Sequence, residues 1–413
     1  MKRSKAKRIV TRRGFLRSAA AAVAAPYVIT SEALGGAGTP AASDRITMGG
    51  IGMGGRGRGD LNGFMGHREV KVLAVCDVKK GHLDACKNQV NKRYGNSDCQ
   101  GYTDMRELLD RGDLDAVLVA TPDHWHAIAC IEACRRGIDV FCEKPLTLTI
   151  GEGRQMVEAA RTYGCVVSSG SQRVMGDYGR HAQYVASGAI GRITECWVNV
   201  GGPSRRCDLP GQPVPEDVAW DLWLGPAPWA PYHPHRCGGA YGLGGKGWRT
   251  WYDYSGGMMT DWGGHKFGGA MYAMQLDETG PVEVIPPDGK DVKLLTYVFA
   301  NGIRMYHGGG GNIRYKGTDG ESRGGGNQTE PDPLRRYKGR GGLPGDFLHC
   351  VKTREKCFRD FEYAHRVATV CHLGNIAYIL KRPLKWDPDS EQFVGDAEAN
   401  RMVVRTRREP WRV

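Results

Sequence analysis

The sequence predicts an α/β chain in two parts: a domain built on a parallel sheet, then an α+β domain whose sheet is mainly antiparallel. Three observations carry this expectation. From about residue 44, short apolar runs alternate with helix-length segments. Some of those runs are continuously apolar, as in Asp115-Ala116-Val117-Leu118-Val119-Ala120, the pattern of strands covered on both faces. After about residue 171, strand-like runs follow one another with fewer helices between them. A length of 413 residues suits two domains, and a 40% hydrophobic content suffices for packed cores.

Residues 1–42 stand apart from both. The chain carries +12, and eight basic residues against the single acid Glu32 place +7 of it here. A basic stretch holds Thr11-Arg12-Arg13-Gly14-Phe15-Leu16-Arg17, an uncharged Ala-rich run covers 18–29, and small residues follow to about Ala42. That is the layout of an export signal, and adjacent arginines before Phe-Leu point to the twin-arginine export machinery and a periplasmic destination. The apolar run is too short to span a bilayer as a helix. With the basic cluster in a removable leader, nucleic acid is excluded as a partner. Cys76, Cys130, Cys134, Cys142 and Cys165 lie in apolar contexts and read as small core residues; Cys207 and Cys237 lie in loop-like sequence, where pairing stays open. There are no metal-type Cys pairs, and His233, His235 and Cys237 sit in a Pro- and Gly-rich loop, so no metal is expected.

Residues 44–170 read as the first domain. The strand-like run Arg45–Gly52 delivers Gly50-Ile51-Gly52-Met53-Gly54-Gly55, a G-x-G-x-x-G string. In that string the first glycine makes a tight turn and the second admits a pyrophosphate. The third lets the next helix lie close to the strand, its N-terminus facing the anion. With 60 glycines in the chain, the string needs support from its context. The next strand ends in Asp77, 22 residues after Gly55, where a carboxylate would bind ribose hydroxyls and repel a 2′-phosphate. NAD is therefore favoured, while Lys79 and Lys80 keep NADP open. Helices over 80–93, 104–111, 124–136 and 150–163, and strands over 115–120, 139–142 and 165–168, complete a Rossmann-type domain. Its ligand edge would carry the strand-end segments Thr121-Pro122 and Glu143-Lys144-Pro145.

On Glu143-Lys144-Pro145, and over nearly everything after the leader, the chain resembles the Gfo/Idh/MocA oxidoreductases. The resemblance implies hydride transfer between NAD(P) and a sugar or cyclitol hydroxyl. It implies a cofactor site of Gly50, Gly52, Met53 and Gly55 at the pyrophosphate and Asp77 at the ribose. Thr121, Pro122, His124 and His126 would lie beside the nicotinamide, with Glu143, Lys144 and Gln172 completing the site. The segment Gly256–His265 is similar to the family's D-x-G-x-H stretch. Its Asp261 and His265 are one helical turn apart and can face one pocket. The family pattern continues to a second aspartate, and here Gly268 stands in that place.

Lys144, Asp261 and His265 are thus the candidate catalytic residues. With a reference pKa of about 6.5, His265 suits taking the hydroxyl proton, and Lys144 suits stabilising negative charge on the oxygen. Their roles are exchangeable, and Asp261 would orient the histidine or cap the helix from Gly263. Six of the ten tryptophans lie in residues 220–262. Trp248 offers a flat face for a sugar ring, and Arg173 and Arg249 offer donors for its hydroxyls. The stretches Trp220–Pro228 and Asp396–Asn400 resemble an exported subgroup.

The second domain is expected over 171–383, with strands at 193–200, 282–285, 293–299 and 303–307 and helices at 180–187, 347–352 and 363–380. Gly308–Gly345 reads as a mobile glycine-rich excursion, and 384–413 as a tail packing on both domains. By resemblance, the open face of the second sheet would join a homodimer or homotetramer. Three functions fit these residues: a sugar or cyclitol oxidoreductase, a glycoside-cleaving enzyme working by oxidation, elimination and reduction, and a non-catalytic sugar or nucleotide sensor.

Overall fold

The computed structural model describes residues 40–239, 247–324 and 334–412. The export signal expected over 1–42 lies almost wholly outside the described residues. The chain separates into Met1–Arg45 and Ile46–Val413, and the architecture below is that of the second unit.

Six parallel strands form the first sheet: β1 Ile46–Ile51, β2 Val70–Cys76, β3 Gln100–Tyr102, β4 Ala116–Val119, β5 Asp139–Cys142 and β6 Val167–Ser169. They lie in the order β3-β2-β1-β4-β5-β6. The order reverses between β1 and β4, so a crevice opens outside their C-terminal ends. β4 and β5 are buried along their whole length, as the continuous apolar runs require. β3 has no counterpart among the expected strands. It is three residues long and partly exposed at the sheet edge, too short to leave a periodic trace. Phe64, Phe141 and Phe347 meet edge-on at 5.1–6.0 Å and tie this sheet to helix Gly342–Thr353.

The second sheet has eight strands: β7 Ile193–Val198, β8 Glu283–Ile285, β9 Leu295–Val298, β10 Arg304–His307, β11 Arg314–Gly317, β12 Glu321–Ser322, β13 Leu384–Asp387 and β14 Gln392–Phe393. Their order is β12-β11-β7-β10-β9-β8-β13-β14, antiparallel except for the parallel pair β7–β10. Helices Gly263–Met274 and Phe361–Leu380 pack on one another and on the sheet.

Two expectations need correction. The stretch 308–345 is not loop throughout, because β11 pairs with β7 and β12 pairs with β11, extending the sheet. In β11, Tyr315 and Gly317 point inward while Arg314 and Lys316 point out. Four residues of alternation are too few to recognise among glycines. The segment 384–413 begins as β13, paired to β8, so the sheet domain runs past residue 383. Its end returns to the first domain, where Trp411 meets Trp125 edge-on at 4.7 Å. All cysteines are thiols, and all but Cys207 are buried. Among the described residues no helix is long and apolar enough to cross a membrane.

Candidate active site

The glycine turn after β1 is the first piece of the site. Gly50 lies inside the strand, opposite Val75 on β2 and Leu118 on β4. The turn begins at Gly52, whose φ is +81° and whose Cβ would sit 2.7 Å from the Thr121 nitrogen. In helix Gly55–Phe64, a Cβ on Gly57 would lie 2.2 Å from the Gly52 carbonyl oxygen, whereas Gly55 has nothing within 4 Å of that point. The working string is therefore Gly52-Met53-Gly54-Gly55-Arg56-Gly57, two residues later than the one read from the sequence. Gly52 makes the turn and Gly57 permits the close helix–strand approach. Gly50 belongs to the strand, and Met53 is fully buried in the core. Overlapping matches occur in Gly-Gly-Ile-Gly-Met-Gly-Gly-Arg-Gly, and the end of β1 decides between them.

A cavity of about 480 Å³ opens at this crevice, with Gly52, Gly54, Gly57, Asp77, Thr121, Pro122, Glu143, Lys144, Trp248 and Arg249 in its wall. Its chemistry fits NAD. The helix starting at Gly55 has no side-chain cap, so its first N–H groups are available to a pyrophosphate. Asp77 closes β2, accepts from the Lys79 N–H at 2.8 Å and lies 3.5 Å from His82 Nδ1. The two lysines that kept NADP open are engaged elsewhere: Lys79 Nζ donates to the Cys237 carbonyl at 3.2 Å, and Lys80 pairs with Asp84 at 2.6 Å. Backbone bonds from Lys80 to Asp217 at 2.8 Å and from Ala219 to Val78 at 2.9 Å bring the segment from 217 onward over this end. Asp77→Ala is expected to weaken NAD binding about tenfold, or ~1.4 kcal/mol, and to narrow the preference over NADP. Titration with both nucleotides checks it.

At the other end lies a charged cluster. Lys144 Nζ donates to Asp261 Oδ1 at 2.8 Å, and Arg249 Nε donates to the same oxygen at 3.1 Å. Asp261 ends the turn Met258–Asp261 and is 1% exposed. It does not cap helix Gly263–Met274, whose first turn has no side-chain cap, because its carboxylate is committed to the two cations. One turn on, His265 is buried and its Nδ1 has no hydrogen-bond partner. Burial, reinforced by the positive charge of Lys144, holds its pKa well below the usual 6.5, so the ring is neutral at pH 7. The helix approaches closely here: a Cβ on Gly264 would meet the Lys144 Cβ at 3.5 Å. Arg249 stacks on Trp248 at 4.1 Å. Arg173, paired with Asp177, lies over Trp262 at 5.1 Å, and Trp262 meets His265 at 6.0 Å.

Residues 46–171 match the oxidoreductase family's NAD-binding Rossmann fold, and residues 197–413 match its C-terminal alpha/beta domain. The chain belongs to the Gfo/Idh/MocA oxidoreductase family. Its first domain is thus an NAD-binding Rossmann domain. A 2,7-anhydro-N-acetylneuraminate hydratase of Mediterraneibacter gnavus is 30% identical over 139 residues, covering 33% of this chain and 35% of that protein. A glycosyl hydrolase family 109 protein of Shewanella baltica is 31% identical over 173 residues, covering 37% of each. The matches thus span about a third of the length of these curated relatives. The myo-inositol 2-dehydrogenase of Lactobacillus plantarum shares the fold at a TM-score of 0.56 and 17% identity, covering 83% of this chain and 99% of that one.

Against the Gfo/Idh/MocA pattern, several expected cofactor contacts lie elsewhere. His124 turns from the cavity to the Trp223 carbonyl at 3.0 Å, and burial pushes its pKa down to about 4. His126 faces the carbonyls of Pro145 and Thr121 beneath the cavity wall. With its amide oxygen turned toward Arg56, Gln172 accepts from that guanidinium at 3.1 Å, while Arg56 also reaches Glu143 at 2.9 Å. Arg56 and His82 line the cavity without having been singled out as cofactor residues. Arg56 falls on an unspecified position of the glycine string, and His82 is the third residue of its helix. His233 Nδ1 accepts from the His235 N–H at 3.0 Å and starts the short helix Pro234–Cys237.

Gly268 has a structural consequence in this Gfo/Idh/MocA chain. A Cβ there would lie 3.6 Å from Arg359 Nη2 and 3.0 Å from Val174 Cγ2. Arg359 is fully buried, none of its three side-chain nitrogens has a hydrogen-bond partner, and the Asp277 carboxylate lies 3.7 Å away. Gly268→Asp supplies the missing acceptor, and a net gain of about 1 kcal/mol is expected after Val174 adjusts. A thermal melt reads this as an increase in Tm of a few degrees.

The buried histidines also set an acid limit. His124 and His372 have pKa values of about 4, both lowered by burial. The unfolded chain binds these protons near pH 6.5 while the folded chain refuses them until about pH 4. Stability therefore falls as pH drops through that window, by on the order of 3 kcal/mol for each residue once both states are protonated. Melting curves from pH 7 to pH 4 check this, and His372→Gln should remove its share of the slope.

Proposed function

We propose that the protein is exported through the twin-arginine machinery to the periplasm, and that it transfers hydride between NAD and a sugar or cyclitol hydroxyl as a homodimer or homotetramer. The observation that carries the chemistry is the Lys144–Asp261–Arg249 cluster, whose Lys144 and Arg249 line one end of the NAD cavity, with a buried, neutral His265 one helical turn from Asp261. When bound, NAD supplies the hydride acceptor or donor. Gly52, Gly54 and Gly57 give its pyrophosphate room, and Asp77 binds its adenosine ribose. His265, held neutral by burial, takes the hydroxyl proton on its imidazole. Lys144, oriented by Asp261, donates to the same hydroxyl oxygen and stabilises its developing charge. Trp248 and Arg249 form a stacked plate for the sugar, and Arg173 on Trp262 supplies a further donor.

The names of the hydratase and glycosyl hydrolase relatives support a second reading: glycoside cleavage by oxidation, elimination, hydration and reduction, with no net cofactor turnover. One experiment separates the two. Export-mature protein is purified, its bound nucleotide is identified, and simple sugars and aryl glycosides are offered with product analysis. A nicotinamide absorbance change with free sugars supports the oxidoreductase. Cleavage of aryl glycosides without that change supports the second reading, and failure to bind any nicotinamide nucleotide sinks both. Export is tested separately by replacing Arg12 and Arg13 with Lys, which should leave the protein in the cytoplasm.

A further inference from the structure

His126 is buried in the first turn of helix Asp123–Arg135, with both ring nitrogens occupied. Nδ1 lies 2.7 Å from the Pro145 carbonyl oxygen, and Nε2 lies 2.9 Å from the Thr121 carbonyl oxygen. A carbonyl oxygen only accepts, so satisfying both contacts needs a hydrogen on each nitrogen. The ring is then an imidazolium. Burial opposes that charge, but Cys142, Asp123 and the Pro145 carbonyl outweigh it and hold the pKa up at about 10. Asp123, three residues earlier, is itself fully buried and supplies an opposite charge. His124 is a further titratable group beside the ring.

The two carbonyls belong to functionally different places. Thr121 follows β4 and lines the NAD cavity, while Pro145 directly follows Lys144. The last registered pair between β4 and β5 is Val119 with Cys142, so both segments lie beyond the ladder. We propose that His126 is a positioning residue: by donating from both ring nitrogens, it sets the Lys144 backbone against the cofactor-facing Thr121 and thereby fixes where the ammonium stands. This rests on the role given to Lys144 above.

The test uses two variants that keep one donor each. His126→Asn retains a donor near the Nδ1 position, His126→Gln retains one near Nε2, and neither spans both carbonyls. In each, kcat per nucleotide-loaded site is expected to fall 10- to 100-fold, with KM and NAD affinity within threefold. Independently of turnover, acylation of Lys144 by an amine-reactive reagent, mapped by mass spectrometry, should change at least fivefold while surface lysines keep their rates. A folded variant whose kcat stays within twofold and whose Lys144 reactivity is unchanged overturns the proposal. A purely structural role would lower Tm and leave both readouts intact, and that result also overturns it. Lys144→Met is run alongside. If it keeps turnover, the function proposed for Lys144 has failed, whereas the acylation rates still decide whether His126 positions it.

Discussion

Lys144→Met is expected to lower kcat by on the order of 10³-fold while NAD remains bound. Methionine preserves most of the stem volume, so the loss isolates the ammonium. In the intact protein that ammonium lies 2.8 Å from the buried Asp261 carboxylate, with Arg249 sharing the same oxygen at 3.1 Å. Removing it leaves Asp261 with Arg249. The stability cost should therefore be about 1–2 kcal/mol, below the ~3–5 kcal/mol of a buried charge left wholly alone. The variant should fold, and nucleotide content measured after purification confirms that the cavity is intact. A second consequence concerns His265, whose pKa is lowered first by burial and then by the Lys144 charge. Without that charge the pKa moves back up, so the acid limb of any residual activity shifts to higher pH. Residual turnover within tenfold of the parent would remove Lys144 from the chemistry.

Gly57→Ala is expected to disrupt nucleotide binding and to destabilise the first domain, whereas Gly55→Ala should be neutral or mildly stabilising. The contrast follows from two distances. At Gly57 a Cβ would lie 2.2 Å from the Gly52 carbonyl oxygen, a backbone atom held between β1 and its helix, and overpacking of that kind costs about 1–3 kcal/mol or more. At Gly55 nothing lies within 4 Å, and replacing a helical glycine with alanine gains about 0.5–1 kcal/mol. Gly52→Ala should be at least as damaging as Gly57→Ala, since it adds a φ of +81° to a Cβ contact of 2.7 Å with the Thr121 nitrogen. NAD titration and thermal melts of the three variants locate the working glycines. Loss of binding in Gly55→Ala with retention in Gly57→Ala would restore the earlier register.

Much of this is legible in the sequence. The strand Asp139–Cys142 and the helix starting at Ile150 stand where the apolar pattern places them. Lys144, Asp261 and His265 come together although 117 residues separate the first two. Other features were hidden for identifiable reasons. β3, β12 and β14 have two or three residues, less than any periodicity needs. β13 follows a long helix and finds its partner about a hundred residues back, in β8. In Thr-Pro-Asp-His-Trp-His, the histidines and tryptophan all have polar atoms suited to a ligand. All three polar groups turn to backbone carbonyls, and Trp125 reaches the cavity wall with its ring alone.

The sequence by itself determined the succession of strands and helices in the first domain apart from β3, the acid at the end of β2, and the choice of Lys144, Asp261 and His265 as candidates. Those features depend on local periodicity and on residue chemistry, which any stretch of chain carries with it. Only the tertiary structure decided which glycines form the turn, since that depends on where pairing with β2 and β4 ends. It also decided that His126 bridges two carbonyls less than 3 Å away. A hydrogen-bond partner is chosen by the atoms that packing brings within reach, and packing is a property of the assembled sheets.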